Sequence, residues 1–161
     1  GNASALSPQK GYETLLHSVH ELSKMSVQNF QVYIAGTGEL EPSLKQMVRN
    51  LKIEDRVVFL GFIQNVSEFL ATLDILAIPS NNEGLGTVIL DAILAGCCPV
   101  GSRVGGIPEI IIQNQTGLLI EPGDHKALSQ SLKSVIENPD LRARLSQAAN
   151  QHVRQHCRLI R

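Results

Sequence analysis

The sequence predicts an α/β fold: a Rossmann-like parallel sheet of about six strands with helices on both faces. Three observations predict it. Short apolar runs alternate with stretches of helical periodicity along the chain, the pattern of a parallel sheet crossed by helices. Residues 75–78 are apolar without interruption, as in a strand covered on both faces. Gly36-Thr37-Gly38, Gly61, Gly84-Leu85-Gly86 and Gly105-Gly106 each follow a strand. Right-handed crossovers would bring these loops to one edge, where ligands of such sheets bind.

Residues 2–6 read as a short strand, followed by a loop with Ser7-Pro8 as turn initiator. Leu15, Leu16, Val19 and Leu22 then recur at helical spacing over residues 12–25. Residues 31–35 form a strand. Leu40, Leu44, Met47, Val48 and Leu51 mark the next helix, with Pro42 in its first turn, where a missing N–H does no harm. A strand over 56–60 ends at Gly61. Asn65 with Glu68 resembles a capping box ahead of the stripe Val66, Phe69, Leu70 and Leu73.

After the strand at 75–78, a helix over 87–95 is apolar almost all round, which predicts burial on most faces. Its polar residues are Thr87 and Asp91, four apart on one face. A carboxylate on such a helix needs a partner, and none is obvious nearby in sequence. A short strand covers 99–102, a short helix opened by Pro108 covers 107–112, and a last strand covers 117–120. Asp124 caps a helix carrying Leu128, Leu132, Val135 and Ile136. Asn138-Pro139 stops it and starts another, with Leu141, Leu145, Ala148, Ala149 and Val153 on one face.

The 161 residues suffice for one domain with a sizeable core. Hydrophobic residues make up 43% and charged residues 18%, with a net charge of -1, so no basic footprint points to nucleic acid. No run of 18 apolar residues suggests a membrane span. Cys97, Cys98 and Cys157 read as buried thiols of a reducing compartment, and the expected location is cytoplasmic. The opening residues read as strand without a leader and the closing HCRLIR as helix. Both ends predict a piece of a longer protein, with 1–161 as one domain.

Gly84-Leu85-Gly86 leads straight into a helix. Free N–H groups and the helix dipole there make a place for phosphate or carboxylate. A plain turn requiring positive φ is the competing explanation. Glu83 would repel a phosphate, but it would accept well from a hydroxyl-rich group attached to one. The same holds for Asp91. A solvated loop acid is the plainer reading of Glu83. Lys10, in a loop between strand and helix, could meet a phosphate as a point charge or be an ordinary surface lysine. Gly36 and Gly38 resemble the start of a dinucleotide fingerprint, but Glu41 stands where the third glycine belongs. The five histidines show no metal-ligand spacing, and no P-loop or nucleophile elbow appears.

The stretch SNNEGLGTVILDAILAGCCPVGSRVGGIPEII followed by NQTGLLIEPGD resembles the C-terminal, donor-binding domain of retaining GT-B glycosyltransferases of the group 1 (family 4) type. The resemblance extends upstream through LSPQKGYETLL, IAGTGELEPSL and VVFLGFIQNVSEFL. The family motif has two glutamates separated by seven residues, and here it reads Glu83 to Asp91. The resemblance implies that Glu83 contacts the donor sugar hydroxyls and Asp91 holds the ribose diol. Asp reaches about 1.5 Å less far than Glu, one C–C bond. The backbone near Gly84, Leu85, Gly86 and Thr87 would bind diphosphate and sugar. The base would lie near Phe62, Ile63, Gly36 and Gly38. Lys10 would stabilise the leaving diphosphate, which makes Glu83 and Lys10 the implied catalytic pair. Where the family often carries an Arg before the leucine of the first strand, this chain has Ala5, and Arg103 is the candidate replacement.

The implied reaction is sugar transfer from a nucleotide sugar such as a UDP- or GDP-sugar, with retention and no required metal or other cofactor. The partners implied are that nucleotide sugar and an N-terminal acceptor domain, through which any peripheral membrane contact would run. The isolated chain is then expected to bind nucleotide weakly and transfer nothing. A non-catalytic docking module of the same fold and a GT-B sugar-nucleotide epimerase are the alternatives.

Overall fold

The computed structural model describes residues 1–157. In chain order the elements are β1 (Asn2–Ala3), a 3-10 turn at Pro8–Lys10, α1 (Tyr12–Lys24), β2 (Val32–Ala35), α2 (Glu41–Asn50), β3 (Val57–Gly61) and α3 (Val66–Ala71). They continue with β4 (Ile75–Ile78), α4 (Thr87–Leu94), β5 (Cys98–Ser102), α5 (Ile107–Ile110), β6 (Leu118–Ile120), α6 (His125–Glu137) and α7 (Pro139–His156).

All strand pairs are parallel, as expected. They fall into two three-stranded sheets, β1-β2-β3 and β4-β5-β6, rather than one sheet of six. Gly1, next to β1, joins the two. The Gly1 nitrogen donates to the Ile75 carbonyl at 2.9 Å, and the Ala77 N–H donates to the Gly1 carbonyl at 3.0 Å. The strands therefore lie side by side as β3-β2-β1-β4-β5-β6. The order reverses between β1 and β4, and the loops leaving those two strands face each other there.

The apolar run of β4 serves two cores. Leu76 and Ile78 pack with Leu70, Ile89, Ile93, Ile107 and Val153. Ala77 packs on the other face with Leu15, Leu22, Leu128 and Leu132. This is the two-sided burial that an uninterrupted apolar strand requires. Three helix starts form where polar residues precede apolar stripes: Asn65, Asp124 and Asn138 accept from the N–H groups of Glu68, Ala127 and Leu141. Strand β1 is shorter than the expected 2–6. Ser4 and Leu6 still donate to the Ala35 and Thr37 carbonyls, but along the turn that follows β2.

Two further expectations change. Helix α4 is not buried all round: Ile89, Ala92 and Ile93 are buried, Val88, Leu90 and Leu94 half-buried, and Thr87 and Asp91 exposed. Its covers, α3, α7 and the sheet, lie on some sides only, so Asp91 faces solvent and needs no buried partner. The helix read through HCRLIR ends at His156, with Cys157 as its C-cap; the remainder of that stretch lies outside the described residues. Cys97 and Cys98 are buried, and burial pushes their thiols up to about 11 and about 12, which makes them poor nucleophiles. No helix among the described residues is long and apolar enough to cross a membrane.

Candidate nucleotide-sugar site

The loops that leave the strands at their carboxyl ends are fastened to one another into a continuous rim. The Gly36 N–H donates to the Gly61 carbonyl at 2.7 Å, tying the β2 exit to the β3 exit. Gly36 and Gly38 lie flat against the segment after β1: a Cβ on either would stand 2.1 Å from the Ser4 carbonyl oxygen or 2.4 Å from that of Leu6. Backbone approach accounts for both glycines, so the partial dinucleotide fingerprint has a packing origin. Tyr12, which sequence reasoning passed over, braces the same corner. It is buried, and its hydroxyl lies 2.6 Å from the Ser4 Oγ. Burial pushes that phenol up to about 12.

The β1 and β4 exits are joined across the switch point. The Asn81 N–H donates to the Gln9 carbonyl at 2.8 Å, and the Asn81 side chain donates to that of Pro8 at 3.1 Å. Between these loops the Lys10 Nζ donates to both Glu83 carboxylate oxygens, at 3.1 and 2.9 Å. The Ser80 hydroxyl, buried at the end of β4, donates to the same carboxylate at 3.1 Å. Glu83 is thus no solvated loop acid: only 11% of its side chain is exposed, against 24% for Lys10. Its enclosure could not be read from neighbours in sequence, since Lys10 lies 73 positions away. Ser80, three positions before it, was a weak signal.

The β5 exit braces the other side of this loop. The Gly106 N–H donates to the Gly84 carbonyl at 3.0 Å. Gly105, at φ 52°, brings its α-carbon so close that a Cβ would stand 1.7 Å from the Glu83 carbonyl oxygen. Gly86 then caps α4 in the left-handed conformation at φ 61°, with no side chain closing the helix end. The positive-φ explanation of this glycine is therefore correct. It is also compatible with an anion site: the Ile89 N–H is taken by the Gly86 carbonyl at 2.9 Å, but those of Thr87 and Val88 are left to a ligand. Gly84, Leu85 and Thr87 are exposed beside them.

The structure thus brings Lys10, Glu83, Gly84, Leu85, Gly86 and Thr87 together, with Asp91 one turn along the exposed face of α4. Phe62, 77% exposed, and the half-buried Ile63 lie elsewhere on the rim, past β3. Three strand spacings, about 14 Å, separate the β3 and β4 exits, so only an elongated ligand could touch both. Arg103 is not placed as a partner of Lys10: it donates to Glu121 at 3.1 Å, both exposed. Ala5 is exposed and supplies no cation. Among the described residues no group of three or more His, Cys, Asp or Glu is placed to hold a metal ion.

The family model described as "Glycosyl transferases group 1" matches residues 2–152. N-acetyl-alpha-D-glucosaminyl L-malate synthase of Bacillus anthracis is 37% identical over 123 residues, covering 76% of this chain and 32% of that protein. D-inositol 3-phosphate glycosyltransferase of Corynebacterium efficiens is 33% identical over 157 residues, covering 92% and 37%. The chain therefore spans about a third of the length of these relatives. Among solved structures, Anabaena HepE in complex with UDP and glucose superposes with a TM-score of 0.88 at 27% identity, covering 96% of this chain and 43% of that one. The C-terminal domain of Francisella tularensis LpcC superposes with a TM-score of 0.90 at 22% identity, covering 99% and 85%, which supports the fold.

Proposed function

Since this chain belongs to the group 1 glycosyl transferases, we propose that it is the donor-binding domain of a glycosyltransferase and takes a nucleotide-diphosphate sugar on the rim across the β1–β4 switch point. The observation that carries this reading is the Lys10–Glu83 pair, held between two fastened loops beside the uncapped start of α4. Cation, carboxylate and free backbone N–H groups converge there, as a ligand that is part anion and part polyol requires. The complex of HepE, a relative in structure, with UDP and glucose supports the ligand class.

In the proposed complex the diphosphate takes Lys10 and the first N–H groups of α4. Lys10 then exchanges one anion for another and remains paired. Glu83, still held by Ser80, accepts from sugar hydroxyls. Asp91 holds the ribose diol, and Phe62 and Ile63 wall the base at the far end. As the bond from the anomeric carbon to the diphosphate breaks, negative charge grows on the leaving phosphate. Lys10 and the α4 dipole stabilise it without reorganising, the preorganised electrostatic contribution to transfer. The anomeric configuration is retained and no metal is required. The acceptor is bound by a domain outside these residues, and the reaction is cytoplasmic.

A docking module without catalysis is the second reading, favoured by Ala5 and by the engagement of Arg103 with Glu121. Calorimetric titration of UDP, GDP, ADP and their sugars separates the two. The donor reading expects one nucleotide to bind, Asp91→Ala to weaken nucleotide and nucleotide sugar alike, and Glu83→Gln to weaken chiefly the discrimination among sugars. Lys10→Met should weaken diphosphates more than the free nucleoside. Silence toward every nucleotide would sink the donor reading, and equal effects of the Glu83 and Asp91 variants would undo their separate roles.

A further inference from the structure

Two histidines far apart in sequence meet where α1 and α6 pack along each other. His17 stands in the second turn of α1, and His125 opens α6 behind its cap Asp124. Both are half-buried. Their ring centres lie 5.3 Å apart with a tilt of 41°, so they do not stack. The other histidine pair differs. His152 and His156 stack at 4.5 Å, and a nitrogen of each lies 3.4 or 3.1 Å from a backbone carbonyl. Among the described residues the ring nitrogens of His17 and His125 meet no such partner. We infer that His17 and His125 form a two-imidazole site for an exchangeable divalent transition-metal ion across the α1–α6 seam.

A neutral imidazole offers one nitrogen lone pair. That donor suits zinc, copper or nickel, whereas magnesium and calcium take oxygen. A tetrahedral zinc ion sits about 2.0–2.1 Å from each ligating nitrogen, which holds two ring centres about 5 Å apart. The observed spacing matches. The Cβ–Cγ torsion of histidine is soft. Rotation about it aims a nitrogen of each ring at a shared ion and leaves the ring centres in place.

Glu21, one turn beyond His17 on α1, gives the sign of the ligand. The hydrogen bond from Lys24 holds its carboxyl below the ordinary value, and Lys126 and His125 act in the same sense. A carboxylate in the field of His125 favours a cation there over an anion. Lys126, beside His125, opposes it. Among the described residues no third His, Cys, Asp or Glu is placed to join the pair, so water completes the shell and the ion exchanges. The two ligands converge only in the folded chain, so the ion stabilises the fold. It also clamps α1, the helix that follows Lys10.

The test titrates zinc chloride into metal-stripped protein carrying His152→Gln and His156→Gln, which removes the other pair. Calorimetry should count one ion per chain. At a zinc concentration a hundredfold above Kd, Tm should rise by about 5 °C or more. Adding His17→Gln or His125→Gln should each weaken binding at least about tenfold, the loss that removing even an outer-shell partner brings. Magnesium at the same concentration should do nothing. In the unaltered protein the imidazole NMR signals of His17 and His125 should shift together as zinc is added, a reading that holds even where a variant folds poorly. Signals that fail to shift together, binding undiminished in both variants, or equal stabilisation by magnesium would overturn the inference. So would stabilisation by inorganic phosphate that is lost in the same variants, since the pair would then be an anion site.

Discussion

Replacing Gly105 by alanine tests whether the β5 exit positions the Glu83 loop. The added Cβ would stand 1.7 Å from the Glu83 carbonyl oxygen, where real Cβ contacts stay beyond 3.0 Å, so the two loops must part by at least 1.3 Å. That separation breaks the bond from the Gly106 N–H to the Gly84 carbonyl, a loss of about 0.5–1.5 kcal/mol. Holding alanine at φ 52° costs a further ~1–2 kcal/mol. Together the change should destabilise the domain by about 1.5–3.5 kcal/mol, a fall in Tm of about 3–14 °C. The nucleotide sugar should bind at least about tenfold more weakly, because its sugar contact moves with the loop. Gly123→Ala is the control: it also has positive φ, 80°, but no atom lies within 4 Å of its Cβ position. It should lose only the backbone preference and bind normally. Differential scanning calorimetry and titration with the sugar nucleotide read both quantities. Equal stability losses for the two variants, with affinity intact in Gly105→Ala, would refute the bracing argument.

One further outcome concerns the rest of the domain. With Ellman's reagent at pH 8, half-buried Cys157 should react in the native state while buried Cys97 and Cys98 react only after denaturant is added. Rapid native labelling of all three thiols would contradict the packing.

Strand β4, the helix starts at Asn65, Asp124 and Asn138, and the break at Asn138-Pro139 were legible because each rests on residues near one another in sequence. The gathering of the glycine loops was legible too, since it follows from parallel topology. Helix α4 was misjudged because composition counts apolar residues without saying which sides a neighbour covers. The expected parallel strands form two sheets of three, set side by side by the bonds of Gly1 to Ile75 and Ala77.

Within the site, alternation and motif placed Lys10, Glu83, Gly84–Thr87 and Asp91 at one edge of the sheet, because strand and helix periods are local properties that set where each loop begins. The sequence also determined, through its match to a glycosyltransferase pattern, which kind of ligand to expect there. The tertiary structure decided that Lys10 and Glu83 hold each other, that Ser80 and Gly105 brace the carboxylate's loop, that Arg103 is engaged elsewhere, and that Asp91 stands in solvent. Those facts depend on contacts between residues far apart in the chain. Such distances are set by how the strands twist and stack, which no window of neighbouring residues contains.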